Sequence, residues 1–156
     1  MIKRPQAALG FLLFSAAFAS APGGAKPAVD PAKLVITVNP PSAAPGEAVE
    51  VVVRVEPNPG IKVNRYPKMK LQVPAAAGLV REAEVSVGSS EMPPEEHPEA
   101  NYYKTVDPVS LKVGVDPKAP KGTHKVAAKF TYYYCVAASG YCAPERVSLS
   151  IPLQVR

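Results

Sequence analysis

The chain has 156 residues, 20% of them charged, with a formal net charge of +5, 19 prolines, 10 glycines and two cysteines. The length fits one domain with a core of its own, and the prolines would break most helices. So small a charge excess, with no concentrated basic patch, excludes a protein built to bind nucleic acid or an anionic membrane surface.

The first residues set the compartment. Lys3 and Arg4 precede an uncharged, mostly apolar run, Ala7–Phe18, and Ala17 and Ala19 then form an A-x-A site with cleavage before Ser20. This is the layout of a secretory signal peptide over residues 1–19, and the run is too short for a spanning helix. Its removal takes away Lys3 and Arg4, which lowers the net charge to +3. The mature protein is expected to be a soluble monomer, periplasmic or otherwise exported, with no membrane insertion and no nucleic-acid partner. In such a compartment a pair of cysteines can form a lasting disulfide.

Residues 20–31 (SAPGGAKPAVDP) read as a flexible lead-in. From residue 32 to 156 the hydropathy alternates with period two. Leu34, Ile36 and Val38 share one side; Val49, Val51, Val53 and Val55 share another; Met69, Leu71 and Val73 repeat the pattern. Further strands are expected over 79–87, 109–115, 125–133 and 147–155, making seven to nine in all. The punctuation is turn chemistry: PPSAAPGE, EPNPG, VPAAAG, DPKAPKG and ASG. Short alternating strands separated by Pro/Gly turns predict an all-β domain, an immunoglobulin-like antiparallel β-sandwich.

One segment does not alternate. Gly88–Asn101 is acidic (Glu91, Glu95, Glu96, Glu99) and proline-bearing, and is long enough to be a solvated loop or one that lies over something and moves. The basic residues Lys62, Arg65, Lys68 and Lys70 fall in strand-like sequence and read as a solvated face. His97 and His124 stand in unrelated segments with no ligand-type spacing, so no metal is expected. Neither a G-x-S-x-G turn nor a glycine-rich strand-to-helix turn is present, which leaves no hydrolase or nucleotide site and no cofactor.

That leaves Cys135 and Cys142. Cys135 ends the strand KVAAKFTYYY, and Cys142 begins the next after a six-residue connection bent at Ser139-Gly140. If the strands pair as a hairpin, the cysteines fall near opposite positions, about 4.5–5.5 Å apart between Cα atoms, within the range a disulfide requires. Closing a loop this short contributes roughly 2.5 kcal/mol in the chain-entropy model, against about 4.7 for a hundred-residue loop. A local bond of this kind does little to bolt a sandwich. Tyr132, Tyr133, Tyr134 and Tyr141 frame the pair, and Pro144 limits ladder pairing just beyond it. Two readings stay open on the residues alone: a dithiol–disulfide pair that exchanges electrons, and a non-enzymatic β-sandwich binding module with a structural disulfide.

Residues 130–153, FTYYYCVAASGYCAPERVSLSIPL, resemble the N-terminal periplasmic domain of the thiol:disulfide interchange protein DsbD. The likeness rests on an aromatic-ended strand (Tyr132–Tyr134), Cys135, a small-residue loop closing on Gly140-Tyr141-Cys142, then Pro144 and Glu145. A looser resemblance runs from about Lys33 to Val155. The C-x6-C spacing is one residue longer than is usual in that family. The resemblance implies a thiol–disulfide oxidoreductase of the disulfide-reductase type. Electrons would pass from a thioredoxin-like periplasmic or membrane-tethered donor to exported, disulfide-bearing acceptor proteins. It also implies that Cys142 forms the mixed disulfide with partners while Cys135 resolves it, and that a loop bearing an aromatic residue caps the pair, here the acidic 91–101 loop followed by Tyr102-Tyr103, with Pro98, Tyr102 or Tyr103 in the cap's place. The chain ends at Arg156 with no electron channel following, so a standalone module is expected.

Overall fold

The computed structural model describes residues 30–156. The expected signal peptide and residues 20–29 of the lead-in lie outside the described residues. Nine strands follow: β1 Ala32–Asn39, β2 Ser42–Ala43, β3 Ala48–Pro57, β4 Ile61–Val63, β5 Met69–Val73, β6 Ala83–Val87, β7 Val109–Gly114, β8 Gly122–Val136 and β9 Cys142–Val155. One short 3₁₀ turn, Pro98–Asn101, lies between β6 and β7.

The strands form two sheets. One has the order β1-β3-β7 and the other β2-β9-β8-β5-β6, with β4 also paired to β8. All pairings are antiparallel except the two-residue contact of β2 with β9. The chain therefore begins on one sheet with β1 and crosses to the other at β2, beside the last strand. This is the all-β, immunoglobulin-like sandwich that the alternation predicted.

The alternating residues make the core. Val49, Val51, Val53 and Val55 of β3 face Met69, Leu71 and Val73 of β5, Phe130, Tyr132 and Tyr134 of β8, and Ile151, Leu153 and Val155 of β9, all buried. Burying one such aliphatic or aromatic side chain is worth about 1.5–3 kcal/mol. The apolar positions are set by the period-two pleat, so a one-residue slip of any strand would turn its whole row to water.

Two local departures from the expected strands matter. The strand expected over 79–87 begins only at Ala83. Before it, Ala76–Val80 closes into a tight turn around Gly78, whose φ of +70° requires glycine, and Val80 plugs the end of the core. The segment 60–71 is one interrupted strand along β8: β4 lies beside Tyr134–Val136 and β5 beside Lys129–Thr131. Residues 65–68, with a cis Tyr66–Pro67 bond, leave the ladder between them.

Candidate functional site

The β8–β9 hairpin runs unbroken from Gly122↔Val155 to Cys135↔Cys142. The two cysteines are directly opposite each other at its tip, disulfide-bonded, with Cα atoms 4.0 Å apart. The next pair outward carries the hydrogen bond in which Val136 N–H donates to Tyr141 O at 2.8 Å. Cys135 and Cys142 thus occupy a non-hydrogen-bonded position, where facing side chains approach most closely. The connection 137–140 is exposed, and Gly140 takes a φ of +68° to close it.

The two sulfur-bearing residues differ sharply in access. Cys135 is 4% exposed, whereas Cys142 falls among the exposed residues. Cys142 Sγ lies 3.6 Å from Gly140 O, and Cys135 Sγ lies 3.5 Å from the side-chain oxygen of the buried Asn64.

Strand alternation sorts the surrounding residues into two faces. Phe130, Tyr132 and Tyr134 point inward and form an aromatic ladder that ends on Tyr141, with ring centroids 5.7, 6.4 and 6.5 Å apart in turn. Tyr134 and Tyr141 therefore stand behind the cysteine pair as a packed backing. Cys135 lies on the outer face with Tyr133. Lys62 is its register partner on β4, and Pro144, partner of Tyr133, shares that face on β9.

The segment after the acidic loop adds itself to the free edge of β4. Asn64 and Tyr102 form a bridge, which puts Tyr102 on the cysteine face, and Tyr103 N–H donates to Val63 O at 2.9 Å. Lys62 Nζ sits 4.8 Å above the centre of the Tyr102 ring. Asn101 clamps the interrupted strand: its Oδ1 accepts from Tyr66 N–H at 2.8 Å, its Nδ2 donates to Tyr66 O at 3.1 Å, and its carbonyl accepts from Arg65 N–H. Tyr103 points the other way, packs on the core, and has Arg65 5.9 Å from its ring centre. Burial pushes the Tyr103 hydroxyl above the usual tyrosine range, with the Arg65 charge opposing. Burial raises Tyr132 much further, and the charge of Glu145 adds to the effect.

Of the residues singled out in the sequence, the structure thus brings Cys135, Cys142 and Tyr102 to one face. Tyr134, Tyr141 and Tyr103 lie on the other. Lys62 and Asn64 were not legible as site residues. Lys62 reads as part of a solvated basic run, and only the β4–β8 register places it opposite Cys135. A shallow groove of about 890 Å³ opens beside this face, lined by Lys62, Arg65, His97, Glu99, Tyr102 and Tyr103 among others. His97 contacts Glu99 at 3.2 Å, and His124 contacts the Pro120 carbonyl at 2.8 Å. Among the described residues no group of three or more His, Cys, Asp or Glu side chains could hold a metal ion, and no helix is long and apolar enough to cross a membrane.

In comparisons with known protein families and with curated proteins, the chain matches none.

Proposed function

We propose that the protein is an exported thiol–disulfide exchange module that works through the Cys135–Cys142 pair. The observation that carries this reading is the unequal exposure of two directly paired cysteines at a hairpin tip: Cys142 is an exposed residue and Cys135 a buried one. A bond placed only to brace a fold gains nothing from an exposed half. Exchange needs one sulfur that a partner can reach and a second that is sheltered but adjacent.

In the reducing direction the thiolate of Cys142 attacks one sulfur of a partner disulfide, and the partner's other sulfur leaves as a thiolate. Cys135 then loses its proton and attacks Cys142 Sγ. The internal disulfide re-forms and the partner's second sulfur departs. Two electrons pass from the pair to the partner, whose disulfide becomes two thiols. The pair is recharged by the reverse sequence with a dithiol donor. The resemblance of residues 130–153 to the DsbD N-terminal domain supports a thioredoxin-like protein as donor and exported disulfide-bearing proteins in the periplasm as acceptors. Tyr102, which the bridge to Asn64 puts on the cysteine face, takes the part of the cap.

Trapping tests the proposal. A Cys135→Ala variant leaves Cys142 with no resolving neighbour and is expected to accumulate mixed disulfides in a periplasmic extract, whereas Cys142→Ala accumulates none. If neither variant traps a partner, and the pair equilibrates with dithiothreitol at a potential well below about −300 mV, the bond is structural and the protein is a binding module.

A further inference from the structure

Apart from the tyrosines, Asn64 is the one buried polar residue among the described residues, at 8% exposure. Its position is fixed from both sides. Its backbone N–H donates to Tyr133 O at 2.8 Å, and its outer edge is bridged to Tyr102. Strand alternation turns its side chain to the cysteine face, where Oδ1 stands 3.5 Å from Cys135 Sγ.

A buried amide is unfavourable unless its oxygen and nitrogen are partnered. In the disulfide state Cys135 Sγ carries no proton and offers Oδ1 nothing to accept. In the dithiol state the same sulfur is a donor aimed at that oxygen. We infer that Asn64 is a positioning residue that holds Cys135 as the protonated thiol in the reduced protein and so leaves the thiolate to Cys142. The inference rests on the exchange reading above and supplies what that reading lacks, a reason for the order in which the two sulfurs act. A hydrogen bond to the neutral form disfavours the charged one, the negative end of a carbonyl dipole repels a thiolate, and burial acts in the same direction.

Two cations share this face. Lys62, the register partner of Cys135 on β4, favours the Cys135 thiolate and so opposes Asn64, with its ammonium held over the Tyr102 ring, and Arg146 lies further along β9. Tyr133 and Tyr102 also lie on this face. Glu99 lines the groove beyond Tyr102. Asn64 alone among these groups contacts one sulfur of the pair. Once Cys142 is engaged in a mixed disulfide, Cys135 gives its proton to the departing partner thiolate or to water, and its own thiolate attacks Cys142 Sγ. The Asn64 contact thus leaves the first attack to Cys142.

The experiment uses the full chain with Cys142→Ser, so that Cys135 is the only thiol, and follows the rate of its alkylation by iodoacetamide against pH, read by mass spectrometry. The midpoint is expected above the ordinary cysteine value of about 8.5. Adding Asn64→Ala should lower it by about one pH unit, the size of one hydrogen bond. Adding the isosteric Asn64→Asp should raise it by at least as much, because a carboxylate then faces the sulfur. Opposite displacements are the signature of electrostatic positioning, since a merely structural loss would not change sign between the two variants. Three equal midpoints, or two displacements of the same sign, overturn the inference, and Asn64→Leu, which also removes the carbonyl and should lower the midpoint, decides it if Asn64→Ala does not fold. The titration needs no partner protein, so its outcome is independent of trapping. Displaced midpoints without trapped partners would overturn the exchange reading, and trapped partners with equal midpoints would overturn only the role of Asn64.

Discussion

Removing the disulfide measures how far the pair is released from structural duty. In Cys135→Ala/Cys142→Ala the lost link spans a sequence separation of 7. The chain-entropy model gives roughly 2.5 kcal/mol for a loop of this size. Truncating Cys142 removes an exposed side chain and leaves no cavity, while truncating Cys135 removes one buried sulfur. The hairpin keeps its inner ladder, because every register pair from Gly122↔Val155 to Tyr134↔Ala143 is independent of the bond. Phe130, fully buried where β8 meets β5 and β9, provides the reference. Phe130→Ala should cost about 3–5 kcal/mol. Urea unfolding of the oxidised protein and of both variants, read as midpoint and slope together, should therefore rank the disulfide below a single core aromatic, with the slope unchanged in the cysteine variant. A double variant that loses more stability than Phe130→Ala, or that fails to fold, would show the bond to be a principal brace. The reasoning that it is free to open would then be refuted.

Access can be read directly. In the reduced protein Cys142 should be alkylated at least about tenfold faster than Cys135 at neutral pH, since both thiolate fraction and exposure favour it; peptide mapping by mass spectrometry after a timed quench checks this. Gly88 opens the acidic segment with a φ of +132°, and a Cβ there would stand 2.3 Å from the Arg65 carbonyl that accepts Ser89 N–H. Gly88→Ala is expected to cost about 1–3 kcal/mol. Gly46→Ala, also at positive φ but facing open space, should cost less, and urea midpoints compare them. Tyr103 and Tyr132 both have folded-state values raised above the usual tyrosine range, by burial first. An acid whose folded value is raised contributes its full stability below its unfolded value, about 10, and loses it as the pH climbs toward the folded value, because the unfolded chain sheds protons that the folded one retains. Stability should accordingly fall above about pH 10, and Tyr132→Phe should flatten that fall in urea midpoints taken across the alkaline range.

Much of the fold was legible because burial in a sandwich writes itself as period two. Val49–Val55, Met69–Val73 and Val109–Val113 each announce a buried row. The Ala76–Val80 turn hid inside an alternating stretch, because Leu79 and Val80 satisfy a strand pattern while serving as a plug at the core's end. At the site, the cysteine hairpin could be read because its partners are close in sequence. Asn64 and Lys62 could not, since they reach Cys135 through a register between strands about seventy residues apart, and the excursion at 65–68 shifts that register by an amount no local pattern encodes. Tyr102 could be named as a cap residue only through the family resemblance. Its place on the cysteine face comes from the bridge to Asn64.

The β8–β9 ribbon also sets a distance. Fourteen register pairs run from one end to the other, and their steps of about 3.3 Å per residue place the ends roughly 40 Å apart. At the end away from the sulfurs, Arg156 is held by Ala43 and by an ion pair with Glu47 at 2.9 Å. The Arg156 end and the Cys135–Cys142 tip therefore lie at opposite ends of one continuous ribbon. A fluorophore, a flexible linker or a solid support joined beyond Arg156 would leave the tip presented outward, so the protein can be tethered for single-molecule or surface-capture measurements without crowding the cysteines.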